Sequence, residues 1–85
     1  MSVRYGFAAD DKVLEIFSAL RPREREQVLR AFGQLADDPF QLGDFVHRQP
    51  GIRDYEIKQF GRWEVSWWVD HAVREVRIVQ LARRK

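Results

Sequence analysis

The hydrophobic pattern of this chain of 85 residues changes its period near Gly51. Beyond that glycine, three runs rich in β-branched and aromatic residues cover 52–59, 62–70 and 75–82. Runs of this composition, separated by short turn signals, are typical of antiparallel strands. The C-terminal part of the chain is therefore predicted to form a three-stranded meander.

The N-terminal part begins with a predicted strand and a predicted helix. Residues 2–8 alternate between apolar and other side chains, which is the pattern of a strand with one buried face. Apolar residues then recur at helical spacing over 13–20. Asp10 or Asp11 is suited to cap this first helix.

A second helix is predicted to begin at Pro22, because proline is tolerated in the first turn of a helix and penalised in its interior. The helix is expected to run to about Ala36, ahead of Pro39, which disfavours helical geometry in the residue before it. The two helices then form a hairpin. The segment that follows, up to residue 51, is predicted to be an irregular loop packed onto the domain, because it is too apolar for a free linker.

These elements together predict an α+β fold. The N-terminal strand joins the antiparallel meander in a four-stranded sheet, and the two-helix hairpin covers one face of that sheet. Domains commonly contain about 100 to 200 residues, so residues 1–85 are expected to form a single domain.

The composition excludes several kinds of site. The chain has no cysteine, so disulfides, thiolate nucleophiles and cysteine-ligated zinc are excluded, and two histidines alone do not make a metal site. The sequence also contains no glycine-rich phosphate loop and no zincin or Gly-x-Ser-x-Gly motif. No metal or cofactor is predicted. No apolar run is long enough to span a membrane, so a cytoplasmic protein with no membrane partner is expected.

The positive charge is concentrated in the C-terminal part of the chain. Residues 1–46 carry six basic and eight acidic side chains, whereas residues 47–85 carry nine basic and five acidic ones. Arginine outnumbers lysine twelve to three, which favours bidentate contacts to phosphate or carboxylate groups. A GC-rich genome is an alternative explanation of the same excess.

The turn between the first two strands of the meander decides which side chains share a face. A two-residue turn at 61–62 would place Lys58 opposite Val65 in the core. A three-residue turn at 59–61 instead separates the apolar residues from the polar ones, and we predict this turn. The open face of the sheet is then expected to carry Lys58, Arg62, Glu64 and Trp68.

Trp67 and Trp68 are neighbours on the second strand of the meander, so they are predicted to point to opposite faces of the sheet. Trp67 belongs to the predicted core, and Trp68 stands among charged residues. An aromatic ring in such surroundings can stack on a nucleic-acid base or anchor a protein partner. The alternative is that the loop over 40–46 covers Trp68.

Three sequence segments resemble the RelE/ParE superfamily of bacterial toxins from type II toxin–antitoxin modules. They are Tyr55-Glu56-Ile57-Lys58, the run from Gly61 to Asp70 and the run from Val76 to Arg84. The resemblance spans nearly the whole chain and implies a microbial RNase fold with a concave active site on the face of the sheet opposite the helices. RelE-like members cleave mRNA in the ribosomal A site without a metal, through attack of a ribose 2′-OH on the adjacent phosphate.

The resemblance also implies roles for individual residues. Lys58 matches a basic position of the family's second strand, and Arg84 matches the arginine that ends its last strand. Arg62 and Glu64 complete the predicted catalytic set, with Arg62 in place of a basic residue and Glu64 as a base. The predicted RNA-binding residues are Arg53, Arg83 and Trp68.

The predicted partners are a cognate antitoxin protein and ribosome-bound mRNA. The antitoxin is expected to dock on the helical hairpin and the open sheet face. Two alternatives remain for the function. Glu56 and Glu64 stand where ribosome-dependent members often carry Lys or Arg, which motivates a ParE-like inhibitor that binds DNA gyrase. The other alternative is a catalytically inactive binding module.

Overall fold

The structure is a computed structural model that describes residues 4–84. Its elements in chain order are β1 (Gly6–Ala9), α1 (Asp11–Ser18), α2 (Pro22–Asp37), β2 (Phe45–His47), β3 (Tyr55–Phe60), β4 (Trp63–Asp70) and β5 (Glu75–Arg83). The strand order is β1-β5-β4-β3-β2, with β1 parallel to β5 and the other pairs antiparallel. The fold is therefore α+β with a five-stranded mixed sheet.

The prediction of four strands is wrong, because the segment expected to be a loop contains the edge strand β2. Phe45 lies opposite Ile57, and His47 lies opposite Tyr55. A strand of three residues is too short to show an alternating pattern, which is why sequence periodicity missed it. The strand predicted over 2–8 corresponds to the shorter strand β1, which leaves Arg4 and Tyr5 outside it, and Ser2 and Val3 lie outside the described residues.

Both helices begin close to where the sequence predicts. Asp10 occupies the N-cap position of α1, although its side chain makes no capping hydrogen bond. Helix α2 begins at Pro22 and is closed at its N-terminus by Glu24, whose Oε1 accepts a hydrogen bond of 3.2 Å from the Arg21 amide. Its last residue is Asp37, one residue beyond the predicted end.

The apolar sides of both helices pack on one face of the sheet, as predicted. Their contacts are mainly with β1 and β5. Trp67 is 1% exposed at the centre of this core, and Phe7 packs edge to face on Phe32 with ring centroids 5.5 Å apart. The buried core residues are Val13, Val28, Phe32, Leu35, Trp63, Val65, Trp67, Val76, Ile78 and Leu81.

The predicted three-residue turn between β3 and β4 is wrong. Phe60 lies opposite Trp63, so the turn consists of Gly61 and Arg62, and Lys58 lies opposite Val65. Gly61 has φ +61, the left-handed geometry that a two-residue hairpin turn requires at its first position. This register brings Phe60 against the core and turns the even-numbered residues of β3 toward the helix side.

Polar residues are tolerated on that side of β3 because the segment over 41–44 supplies hydrogen-bond partners there. Glu56 Oε1 accepts a hydrogen bond of 2.7 Å from the Gly43 amide. The Asp44 amide donates to the Ile57 carbonyl at 2.7 Å. The segment is thus packed onto β3, as predicted for this loop. Its backbone makes the contacts, whereas the apolar side chain of Leu42 is 80% exposed.

Candidate functional site on the open sheet face

The open face of the sheet, opposite the helices, is the predicted active site. Strand alternation places Glu64, Ser66 and Trp68 of β4 on this face, with their cross-strand partners. Ser66 lies at the centre, 1% exposed, and its Oγ donates a hydrogen bond of 3.3 Å to Gln80 Oε1. The neighbouring strands contribute Phe45, His47, Tyr55, Ile57, Gln59, Arg77, Gln80 and Ala82.

Lys58 does not share this face with Glu64, so the prediction of a common face is wrong for Lys58. Its Nζ lies on the helix side and donates a hydrogen bond of 2.9 Å to Gln41 Oε1. The Gln41 amide nitrogen donates in turn to the carbonyls of Gln34 and Asp38, both at 3.1 Å. The ammonium group of Lys58 therefore helps to anchor the loop to the end of α2.

The other predicted cations are divided between the two faces. Arg83 lies on the helix side, where its guanidinium pairs with Glu24 and sits 5.1 Å from the centroid of the Trp63 ring. Arg84 directly follows the last residue of β5, where continued alternation favours the open side, and its amide donates a hydrogen bond of 2.6 Å to the Arg62 carbonyl. Arg62 lies in the exposed turn and lines cavities on the helix side.

Trp68 is half-buried on the open face, so the two neighbouring tryptophans do point to opposite faces, as predicted. The guanidinium of Arg53 lies 3.7 Å from the centroid of its ring, a cation–π contact. Arg77 lies directly opposite Trp68 and is paired with Glu75 at 2.6 Å. Arg53, rather than the segment over 40–46, thus covers this indole.

Sequence reasoning missed a second group on the open face. A cavity of about 310 Å³ is lined by Asp10, His47, Gln49, Tyr55, Ile57, Val79 and Gln80. The rings of His47 and Tyr55 stack within it, with centroids 6.1 Å apart and an angle of 21° between their planes. These two side chains meet only because β2 pairs with β3, and the sequence signal for β2 is too short to predict that pairing.

The open face therefore carries the Glu64 carboxylate near the β3–β4 turn, where the Arg84 backbone also lies, and the His47 imidazole and Tyr55 phenol at the other end of β3. Groups of these kinds transfer protons and stabilise negative charge without a metal. Within residues 4–84, no three His, Asp or Glu side chains come together as metal ligands.

The fold matches solved toxin structures over nearly the whole chain. The toxin–antitoxin complex RelBE2 from Mycobacterium tuberculosis matches with a TM-score of 0.75 and 22% identity, and the match covers 96% of this chain and 100% of that chain. The archaeal RelE–RelB complex from Pyrococcus horikoshii matches with a TM-score of 0.73 and 16% identity, covering 96% and 97% of the two chains.

This chain has the fold of RelE toxins. A mutant of the Escherichia coli toxin RelE in the free state extends the comparison, with a TM-score of 0.71, 14% identity and coverage of 95% of this chain and 84% of that chain. The resemblance to RelE inferred from the sequence is thus confirmed for the fold. No protein-family model and no curated protein matches the sequence. Within residues 4–84 of this chain, neither helix is long and apolar enough to cross a membrane.

Proposed function

We propose that this chain is the toxin component of a type II toxin–antitoxin pair. The observation that carries the proposal is the match to the RelBE2 complex over 96% of this chain and 100% of that chain. Two of the matched structures are toxin–antitoxin complexes, which supports an antitoxin protein as the partner. Leu14, Ile16 and Leu29 are exposed on the helices and offer apolar contacts for that partner.

The expected result of inducible expression in a bacterial host is growth arrest that co-expression of the antitoxin relieves. The antitoxin candidate is the product of the neighbouring open reading frame. Growth that continues at normal rate despite soluble, folded protein would contradict the toxin proposal. Far-UV circular dichroism of the purified chain provides the control for folding.

The finer proposal is a RelE-like endoribonuclease that cuts ribosome-bound mRNA from the open face. A base takes the proton from the 2′-OH, whose oxygen attacks the adjacent phosphorus, and the bond to the 5′-oxygen breaks as that oxygen receives a proton and leaves as a hydroxyl. Glu64, opposite Gln59 near the β3–β4 turn, is the group on this face that can move these protons, whereas His47 lies opposite Tyr55 at the far end of β3. Arg84 is suited to stabilise the charge that develops on the phosphate oxygens.

Replacing Arg84 by alanine is expected to lower the rate of mRNA cleavage by a factor on the order of 10²–10³, because one stabilising donor to the developing charge is removed. Primer extension on ribosome-bound mRNA measures cleavage. Glu64→Gln tests the base in the same assay, and Lys12→Ala is the control, because it removes an exposed cation from α1 on the other side of the sheet. If Lys58→Ala abolishes cleavage in a folded protein while Arg84→Ala does not, the open face is not the working surface.

A gyrase-directed or catalytically inactive toxin is the second candidate. The observation that favours it is the division of the predicted cations, since Lys58 is bound to Gln41 and Arg83 to Glu24. A gyrase-directed toxin would arrest growth without cleaving mRNA, whereas a catalytically inactive binding module would cause no growth defect. A supercoiling assay with purified gyrase distinguishes these two candidates. Inhibition of supercoiling indicates the gyrase-directed toxin, and the absence of inhibition indicates the inactive module.

A further inference from the structure

A groove runs along the helix side of the molecule between α2 and the β3–β4 turn. One part is a cavity of about 400 Å³ whose apolar lining comes from Ala31, Phe60 and Trp63. The other part is a cavity of about 560 Å³ beside the start of α2 and the end of β5. Gln27 and Arg62 line both cavities, so the two cavities adjoin. Together they form one surface, which we call the basic groove.

The charge of the basic groove is strongly positive. Among the described residues that line it, the one carboxylate is that of Glu24, and the arginines are Arg21, Arg23, Arg30, Arg62 and Arg83. The lining therefore carries more positive charge than the whole chain, whose net charge is +2. Such a concentration of one sign in a concave surface attracts a negatively charged partner.

The basic groove already binds one carboxylate. Glu24 pairs with the Arg83 guanidinium and accepts a hydrogen bond from the Arg21 amide. Guanidinium groups match the geometry of carboxylates through two parallel hydrogen bonds. Arg23, Arg30 and Arg62 are exposed, and no described side chain forms an ion pair with them.

The rest of the lining suits a polypeptide better than RNA. Trp63 is 2% exposed, and its indole nitrogen donates to Gln27 Oε1 at 3.3 Å, so it presents no free ring on which a base could stack. The half-buried Phe60 leaves an apolar floor that an aliphatic side chain can cover. Gln34 is exposed on the same stripe of α2, where its amide can bond to an extended backbone.

We propose that the basic groove binds an extended acidic segment of a partner protein, with an aliphatic side chain over Phe60 and carboxylates on the arginines. The stretch of α2 from Arg23 to Gln34 is about 16 Å long, which about five extended residues cover. The partner's identity as the antitoxin rests on the proposed toxin function, whereas the binding chemistry does not.

The test measures fluorescence anisotropy of a labelled peptide that repeats glutamate–leucine–glutamate, titrated with the full chain. The Arg23→Gln/Arg30→Gln variant is expected to weaken binding by about tenfold, because two exposed charge-assisted contacts are lost. Arg4→Gln/Arg48→Gln is the matched control, since it removes the same charge outside the groove and is expected to bind as the wild type does. Circular dichroism verifies the fold of each variant.

Equal weakening in both double variants would overturn the proposal, because attraction would then depend on net charge alone. Tighter binding of labelled oligouridylate, with dependence on Arg23 and Arg30, would overturn it in favour of RNA. Growth arrest is measured separately. A chain that binds the peptide in the groove but does not arrest growth would refute the toxin function and still support the groove as a binding site. A toxic chain that does not bind the peptide would refute the groove as a binding site.

Discussion

Replacing Trp67 by alanine is expected to remove about 3–5 kcal/mol of the free energy of unfolding, the usual cost of deleting a large buried aromatic side chain. Trp67 is 1% exposed and lies against the apolar faces of both helices in the core. Small domains are stable by only about 5–15 kcal/mol, so this variant is expected to be largely unfolded or close to unfolding. Urea denaturation followed by far-UV circular dichroism measures the loss.

Trp68→Ala is the matched control, because it removes the same side chain from the adjacent position. Trp68 is half-buried, and its ring contacts Arg53 through a cation–π interaction that is worth about 0.5–1 kcal/mol at exposed sites. This variant is expected to remain folded and to lose clearly less stability than Trp67→Ala. Equal losses at the two positions would contradict the assignment of the two rings to opposite faces.

Replacing Gly43 by alanine is expected to detach the segment before β2 from β3. A Cβ at Gly43 would lie 2.5 Å from the carbonyl oxygen and 2.7 Å from the amide nitrogen of Ile57, too close for any side chain. The backbone must separate there, which weakens the hydrogen bond from Asp44 to Ile57. We expect a loss of about 1–3 kcal/mol, the usual cost of overpacking, measured by urea denaturation. Hydrogen exchange is expected to show faster exchange at the Asp44 amide.

Gly33→Ala is the control for this substitution. Gly33 lies inside α2, and a Cβ there has no neighbour within 4 Å. Alanine is therefore expected to stabilise the helix by about 0.5–1 kcal/mol. If Gly43→Ala is as harmless as Gly33→Ala, the close approach of the loop to β3 does not exist in solution.

The sequence alone was sufficient for the helices and for the core face of β4. Pro22 starts α2 because its ring suits a first helical turn, and this depends on the local backbone only. Trp63, Val65 and Trp67 are buried together because alternation is a property of one strand, whatever its neighbours are. The separation of Trp67 from Trp68 follows from the same rule.

The candidate site was predicted only in part. Glu64 and Trp68 lie on the open side of the sheet, as expected, but His47 and Tyr55 were missed. Lys58 and Arg62 were assigned to the open face, whereas Lys58 binds Gln41 on the helix side and Arg62 lines cavities there. Which of Arg83 and Arg84 faces the open side was left open by the sequence, because adjacency fixes only that they differ.

Propensity and alternation, which act within a few neighbouring residues, thus determined the elements of this protein. The pairing of β2, the β3–β4 register and the division of the cations were decided only in the tertiary structure. A shift of one residue in the turn exchanges the two faces of β3. Polar residues on its helix side are acceptable only where the backbone and side chains of 41–43 satisfy them, and that contact exists only once the chain has folded.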